Sequence, residues 1–277
     1  MMDFVEKYLI KTNIWVAVCF ASLLAFFQLI LYRPNFYVLG IVFFGTLAIY
    51  NFSRIGNLQD RSLTPFHFVR NDKDSKILYT KNKNQILLTI IGLIGTLVCV
   101  VLRGFEMMTF LYLFVLGFMS FCYSLPFSGL GLRTIPFLKL FLIAFVWAGS
   151  SIGLLLVVHH SLIQHQLLFF SVFFFVIGIT IPFDIRDRNL DEKGLKTIPQ
   201  VLGVIPSKIF SVLSLVLSFF LFYFEFNKLN SGLISWSIAS LIAIILVVNS
   251  SEKRSETYYS FWMESCSVIP LVIYLIF

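Results

Sequence analysis

Charged residues are scarce in this sequence of 277 residues, and their scarcity excludes most classes of soluble protein. Asp, Glu, Lys and Arg together make up 13% of the chain, whereas hydrophobic residues make up 58%. Globular domains usually carry about 25% charged residues. The composition therefore places the chain among integral membrane proteins. Its net charge of +7 is interpreted as a signal of membrane topology and not of nucleic-acid binding.

Several chemical signatures are also missing. The four cysteines stand singly in apolar runs with no CxxC pair, so neither a disulfide framework nor a zinc site is indicated. The sequence contains no glycine-rich nucleotide loop, no nucleophile elbow and no HExxH motif. P-loop nucleotide hydrolysis, serine hydrolysis on such an elbow and zinc proteolysis are therefore not indicated.

Long apolar runs fill most of the chain, and each is about long enough to cross ~30 Å of hydrocarbon as a helix. They predict an all-α, single-domain bundle of nine transmembrane helices over residues 1–277. Eighteen of the 21 Lys and Arg fall on the side of the N-terminus, which predicts a cytoplasmic N-terminus and a C-terminus outside. We expect an integral protein of a bacterial inner membrane. The predicted spans are 14–32, 36–53, 85–102, 107–125, 136–158, 166–183, 208–226, 232–249 and 259–277.

The most acidic stretch of the chain follows the sixth predicted span. If the helix continues through it, Asp184, Asp187 and Asp191 fall within an arc of about 60°. Three carboxylates on one stripe repel one another, so a hard cation such as Mg²⁺ is a natural counter-ion. The alternative is a solvated loop whose acids are neutralised by the basic residues among them, Arg186, Arg188, Lys193 and Lys196.

A second polar connection follows the second predicted span. It begins at Asn51, which lies 133 residues before Asp184, and this matched spacing suggests opposite walls of one pocket. Asp60 is the single acid between Asn51 and Arg70. It could approach Asn51 only if Gly56 interrupts the helix. An asparagine at a helix end is also typical of a simple cap, so both interpretations stay open.

Two charged residues fall inside predicted spans. An unpaired ammonium is costly within a membrane, so Lys139 either extends to the interface or binds phosphate oxygens. Glu264, in the last predicted span, must face the interior of the bundle or water.

The sequence DIRDRNLDEKGLKTIPQVLG, which begins at Asp184, resembles the second aspartate-rich motif of the UbiA family of intramembrane prenyltransferases. The family's D-x-x-x-D pair then falls on Asp187 and Asp191, with Asp184 as an extra acid and one residue fewer before the glycine. The Tyr-Ser-x-Pro sequence at Tyr123 and the nine predicted helices extend the resemblance over the whole chain.

The family's first aspartate-rich motif departs from its usual form in this chain. The pattern N-x-x-x-D-x-x-x-D would begin at Asn51, but Ile55 and Gln59 stand at its aspartate positions, and Asp60 lies one residue out of register. One alternative is therefore a catalytically degenerate protein that binds an isoprenoid diphosphate or lipid without turnover. A membrane transporter is the other.

The resemblance implies a Mg²⁺-dependent enzyme that transfers the prenyl group of a prenyl diphosphate to a small acceptor, often an aromatic ring. It implies catalytic roles for Asp187 and Asp191. The implied partners are these two substrates and the lipid bilayer, with no nucleic acid. The implied site comprises the metal ligands Asp184, Asp187, Asp191, Asn51 and Asp60, the diphosphate-binding residues Arg54, Lys139, Arg188 and Lys196, and the acceptor-facing residues Tyr123 and Glu264.

Overall fold

The computed structural model describes residues 6–57, 72–124, 137–161, 163–189 and 196–277, and every regular element in these ranges is a helix. Helices suit this sequence because a helix satisfies its backbone hydrogen bonds within one apolar segment. A π-helical turn, Glu6–Ile10, precedes the first long helix, and a second one, Tyr258–Met263, precedes the last. The helices are α1 (Ile14–Leu31), α2 (Phe36–Asn57), α3 (Asp72–Arg103), α4 (Met107–Ser124), α5 (Leu138–Ala148, continued by π-helical Gly149–Gly153 and by Leu154–Val158), α6 (Gln166–Asp187), α7 (Ile198–Leu202), α8 (Val204–Phe226), α9 (Ser231–Val248) and α10 (Ile269–Ile276).

Seven of these helices are long and apolar enough to cross a membrane, namely α1, α2, α3, α5, α6, α8 and α9. The prediction of an all-helical membrane bundle is confirmed at this level. Helix α4 is apolar but slightly shorter. The ninth predicted span is not one continuous helix, because a turn at 266–268 separates the π-helical turn from α10. Pro270, at the start of α10, has no N–H to continue the hydrogen bonding of the preceding turn.

Both polar connections contain more helix than the hydropathy pattern predicts. Helix α3 begins at Asp72, well before residue 85, and α6 continues to Asp187. The reason is that Lys and Arg are good helix formers although they are polar. Asp60 and Asp191 lie in the parts of these connections that are outside the described residues.

An aromatic cluster occupies the centre of the bundle. The indole of Trp236 in α9 lies 4.7 Å from the ring of Phe175, 5.3 Å from Phe222 and 5.9 Å from Phe26, measured between ring centroids. All four side chains are fully buried. Because lipid tails are as apolar as these rings, close packing and not exclusion from water is what favours their association.

Helices α6 and α8 approach closely around a proline. Pro182 lies inside α6, and its missing N–H leaves the carbonyl of Gly178 without its usual helical donor. The hydroxyl of Ser211 in α8 donates to this carbonyl at 2.5 Å. The glycine is needed for the approach, because a Cβ at Gly178 would lie 2.5 Å from Cγ of Leu215. This contact holds the charged end of α6 against α8.

The opposite end of the bundle is fastened by a second polar contact, between the start of α6 and the end of α8. His165 and Glu225 approach to 2.6 Å through Nδ1 and Oε1. Nearby, burial and the charges of Arg103 and His160 lower the pKa of His159. This end is called the histidine end below.

A methyl group at Gly92 is expected to separate α2 from α3. Its Cβ would lie 2.6 Å from the backbone nitrogen of Ala48 and 2.7 Å from the carbonyl oxygen of Phe44. Overpacking of this kind costs roughly 1–3 kcal/mol, so Gly92→Ala should lower the thermal midpoint of the protein in detergent. Gly117→Ala is the matched control, because a Cβ there meets nothing within 4 Å. Equal midpoints for the two variants would contradict the close packing of α2 and α3.

Candidate functional site

A charged cavity of about 230 Å³ lies at the end of the bundle where α5 begins and α6 ends. Helix α5 lines it with Lys139, Ile143 and Trp147, which are four residues apart and therefore share one helix face. Tyr50 of α2 and Glu264, which follows the second π-helical turn, complete the lining together with one face of α6. The α6 residues are Val176, Ile179, Thr180, Phe183, Asp184, Arg186 and Asp187.

Asp184 and Lys139 form a buried ion pair in this cavity. Nζ of Lys139 donates to Oδ1 of Asp184 at 2.7 Å, and the aspartate is only 2% exposed. Removing a charged pair from water is costly, and removing one partner leaves the other uncompensated. The two interpretations of Lys139, extension to the interface and binding of phosphate oxygens, both stay predictions.

Asp187 is paired with its neighbour in sequence. Nε and Nη2 of Arg186 donate to the two carboxylate oxygens at 2.7 and 2.8 Å. The guanidinium also lies over the rings of Phe183 and Tyr259, 5.6 and 5.5 Å from their centroids. Such bidentate and cation–π contacts hold an arginine in a fixed direction, so Asp187 has a preset position at the wall of the charged cavity.

Two cationic side chains and three acids line the described wall of this cavity, namely Lys139 and Arg186 with Asp184, Asp187 and Glu264. Each of the two cations is bound to one of the aspartates. A diphosphate would therefore meet the two aspartates as well as the cations. An accompanying cation would reduce their repulsion, because like charges at close range are unfavourable where water is scarce.

A second, apolar cavity of about 350 Å³ lies between α2, α3, α4 and α5. Its lining includes Gly45, Thr46 and Thr96, with aliphatic and aromatic side chains around them. Leu93 and Phe121 also line it, and both are exposed on the outer surface, by 59% and 45%. The apolar cavity therefore opens sideways between α3 and α4.

Tyr50 lines both cavities. A ring contact also links the two cavities. Trp147 lines the charged cavity and Phe20 lines the apolar cavity, and their ring centroids are 3.5 Å apart. The two cavities together are within the range of about 300–1,000 Å³ typical of sites for small ligands. The arrangement fits an amphiphile with a charged head and an apolar tail.

Asn51 is next to Tyr50 in sequence but has different contacts. Its amide nitrogen donates to the carbonyl oxygens of Thr12 and Leu47 at 3.0 and 2.9 Å, and its oxygen accepts from Asn13 at 3.2 Å. The side chain is fully buried. In the described part of the chain Asn51 fastens the start of α1 to α2 and is not among the residues that line the charged cavity.

Two of the arginines predicted to bind diphosphate lie at the edge of the site. Nη1 of Arg54 donates to the carbonyl oxygen of Lys11 at 3.4 Å, and Nη1 of Arg188 donates to Glu252 at 3.2 Å. Neither arginine belongs to the described lining of the charged cavity. Arg54 and Arg188 are close in sequence to Tyr50 and Asp187, which line the cavity, so both stay candidates for binding diphosphate at the outer rim of the charged cavity.

The remaining predicted site residues either do not line the charged cavity or lie outside the described residues. Lys196 precedes α7 with a positive φ of 46°, and Tyr123 is half-buried in the last turn of α4. Neither is among the described residues that line the charged cavity. Asp60 and Asp191 lie outside the described residues, so their metal-binding roles stay predictions.

Sequence reasoning missed Tyr50, Trp147 and Thr180 as parts of the site, and treated Arg186 only as a neutralising charge. The sequence does contain a signal for Trp147. It follows Lys139 by eight residues, and two steps of four residues keep a side chain on one face of a helix. Thr180 precedes Asp184 by four residues in the same way. Tyr50 carries no such signal, since aromatic residues are common throughout the spans.

No protein family, curated protein or solved structure matches this chain. The resemblance to the UbiA family therefore rests on the residues quoted above. The geometry of the charged and apolar cavities stands independently of that resemblance.

Proposed function

We propose that the protein is a membrane-embedded, Mg²⁺-dependent prenyltransferase of the UbiA type, which moves the prenyl group of a prenyl diphosphate to a small, aromatic acceptor. The observation that carries the proposal is the charged cavity that meets a larger apolar cavity at Tyr50. On this proposal the chain crosses the membrane nine times. Seven crossings are the long apolar helices, and the other two are α4 and the segment from Tyr258 through α10. The charged end would face the cytoplasm, as the distribution of Lys and Arg predicts.

The diphosphate head would occupy the charged cavity together with a divalent cation. Asp184 and Asp187 are three residues apart on α6 and both line this cavity, and carboxylate oxygens are the ligands that Mg²⁺ prefers. Among the described residues no three His, Cys, Asp or Glu form a preassembled metal group, so these two would act with Asp191. Lys139 and Arg186, which now neutralise the carboxylates, would turn toward the diphosphate oxygens.

The prenyl tail would pass Tyr50 into the apolar cavity. Its opening between Leu93 and Phe121 allows a tail longer than the cavity to continue into the surrounding lipid. The walls carry no charged side chain in the described lining, which suits a hydrocarbon. The ring of Tyr50 borders both cavities, so it would set the position of the diphosphate head relative to the prenyl tail.

The reaction begins with heterolysis of the bond between C1 of the prenyl group and the diphosphate oxygen, which leaves with the electron pair. Bound Mg²⁺ would neutralise charge on the departing diphosphate, and the donors of Lys139 and Arg186 would hold its oxygens. The nucleophilic carbon of the acceptor then forms the new bond to C1, and the acceptor loses a proton to water. The buried walls keep water from C1 before the acceptor attacks.

A product assay tests the proposal directly. Purified protein in nanodiscs is incubated with farnesyl diphosphate, Mg²⁺ and a set of phenolic and quinol acceptors, and products are followed by mass spectrometry. We expect a prenylated product that disappears with EDTA and in Asp187→Asn. Binding of farnesyl diphosphate without any product would instead support the degenerate binding protein.

A further inference from the structure

Arg103, the last residue of α3, is a half-buried cation at the histidine end. Its guanidinium lies over the ring of Phe105, 5.6 Å from the centroid. Nε is buried without an acceptor, and the side chain forms no hydrogen bond or ion pair with the part of the chain that the structure describes. A guanidinium that is partly removed from water costs free energy unless its donors are bound. Its terminal nitrogens are therefore left for an acceptor from outside the chain.

The acid closest to Arg103 in sequence has another partner. Gly104, with a φ of +63°, turns the chain after α3, and Oε2 of Glu106 then lies 3.1 Å from Nε2 of His160. This contact holds the connection between α3 and α4 against the end of α5, where Arg103 is close enough to act on the charge of His159. The carboxylate that could have paired with Arg103 is thus engaged with His160.

His159 offers a second donor, and its ring has a fixed direction. The imidazole stacks on Tyr32, with ring centroids 3.9 Å apart and planes 3° apart, and the hydroxyls of Tyr32 and Ser161 are 2.6 Å apart. The ring nitrogens of His159 form no hydrogen bond with any described residue. Burial and the charges of Arg103 and His160 lower the pKa of His159, so the charges that act on this imidazole are positive and an anion would relieve their repulsion.

The other cations predicted on this side of the membrane have different surroundings. Arg33 and Lys228 are exposed, so water solvates them, whereas Arg103 combines partial burial with a supporting ring and a neighbouring imidazole. Leu102 and Met107, on either side of Arg103 in sequence, are 63% and 73% exposed. An anion bound to Arg103 would therefore lie next to apolar surface that faces lipid.

We propose that Arg103 and His159 form a binding site for a phosphate group at the histidine end of the bundle. The planar fork of an arginine matches two phosphate oxygens, and a neutral imidazole donates one N–H to a third. The adjoining apolar surface favours the phosphate of a lipid headgroup over a dissolved phosphate. This site lies at the opposite end of the bundle from the charged cavity, so the inference does not depend on prenyl transfer.

Phosphatidic acid and oleate separate a phosphate site from a general attraction for anions. Both are anionic and carry acyl chains, but only the first has a phosphate group. Native mass spectrometry of the full chain in dodecyl maltoside measures the affinity of each lipid for the wild type, Arg103→Gln and His159→Phe. The phenylalanine can keep the stacking on Tyr32 and removes the ring nitrogens. Arg33→Gln is the matched control, because it removes an exposed arginine on the same predicted side.

Arg103→Gln should weaken phosphatidic acid about tenfold or more, because a charged, two-pronged donor is lost. His159→Phe should weaken it about threefold, since a single neutral donor is lost. Neither variant should change the affinity for oleate as much, and Arg33→Gln should leave both lipids unchanged. Arg103→Lys is a second variant for the case that the amide does not fold. It keeps the charge but not the fork, so it should still bind phosphatidic acid more weakly than the wild type.

Excess inorganic phosphate identifies the source of the group. Phosphatidic acid that stays bound assigns the site to a lipid headgroup, whereas its displacement assigns the site to a dissolved phosphate or phosphate ester. Equal affinity of the wild type and Arg103→Gln for phosphatidic acid would overturn the site. Equal losses of phosphatidic acid and oleate in Arg103→Gln, or an equal loss of phosphatidic acid in Arg33→Gln, would also overturn it, because Arg103 would then attract any anion as an ordinary interfacial charge.

Discussion

Lys139→Gln is expected to weaken binding of farnesyl thiolodiphosphate with Mg²⁺ by about a hundredfold or more, because truncating one partner of a buried charge pair costs roughly 2–5 kcal/mol. The charge pair that the variant loses on binding is the one between the Lys139 ammonium and the diphosphate. Separately, Asp184 loses its partner at 2.7 Å, which lowers the stability of the ligand-free protein. Asp184→Asn should have a similar effect through the loss of a metal ligand. Calorimetric titration in nanodiscs measures both.

The double variant Lys139→Gln/Asp184→Asn separates a ligand site from a structural ion pair. Replacing both charges leaves no uncompensated group, so the thermal midpoint should return toward the wild-type value. Binding should stay lost, because neither the donor nor the metal ligand is restored. Glu225→Gln at the histidine end is the control, since it replaces the acid that contacts His165 at 2.6 Å and should alter stability without affecting binding. Wild-type binding by the double variant would show that this pair serves the fold alone.

Gly45→Phe is expected to weaken the binding of long prenyl chains selectively. Gly45 lines the apolar cavity, and a Cβ there would meet only Oγ1 of Thr96, at 3.8 Å. The ring can therefore enter the cavity and occupy the space of a tail. Farnesyl thiolodiphosphate should bind about ten- to a hundredfold more weakly, equivalent to roughly 1–3 kcal/mol of overpacking. The dimethylallyl analogue, with one isoprene unit, should be affected little.

The reason for this selective loss is steric. Lipid solvates an apolar tail about as well as an apolar wall does, so any contact that the tail loses with the cavity wall is replaced by lipid. The expected loss of affinity therefore comes from the clash between the tail and the new ring. Leu97→Phe is the matched control, because Leu97 is 61% exposed on the outer face of α3. It adds the same ring outside the cavity and should leave both affinities unchanged. An equal loss of the long and short analogues in Gly45→Phe would contradict the assignment of the apolar cavity to the tail.

The parts of this fold that depend on hydropathy were predictable from the sequence. The all-helical bundle and the bounds of helices such as α1 and α9 follow from apolar length, which the hydrocarbon thickness sets. The helical extension from Asp72 toward residue 85 was not predicted, because helix propensity and not hydropathy governs it. The turn before α10 follows from Pro270 but is concealed by the apolar residues around it.

The site was predictable only where residues share one helix. Asp184 and Asp187 were predicted on one face of α6, and both line the charged cavity. Contacts between helices were not predictable in this way, since the pairing of Lys139 with Asp184 depends on how α5 meets α6. The contacts of Asn51 with Asn13 and Thr12 depend likewise on the path of the chain before α1. Spacing along one helix carries no information about which neighbour a side chain meets.

The lateral opening between Leu93 and Phe121 has a consequence for how concentration must be expressed. A ligand whose tail enters from the bilayer never leaves the lipid phase, so it meets the protein by diffusion in two dimensions. Its occupancy then follows the mole fraction of ligand in the membrane, and added lipid or detergent dilutes it at constant molarity. For the prenyl diphosphate proposed here, saturation would be set by the composition of the bilayer around α3 and α4, and not by the volume of the surrounding solution.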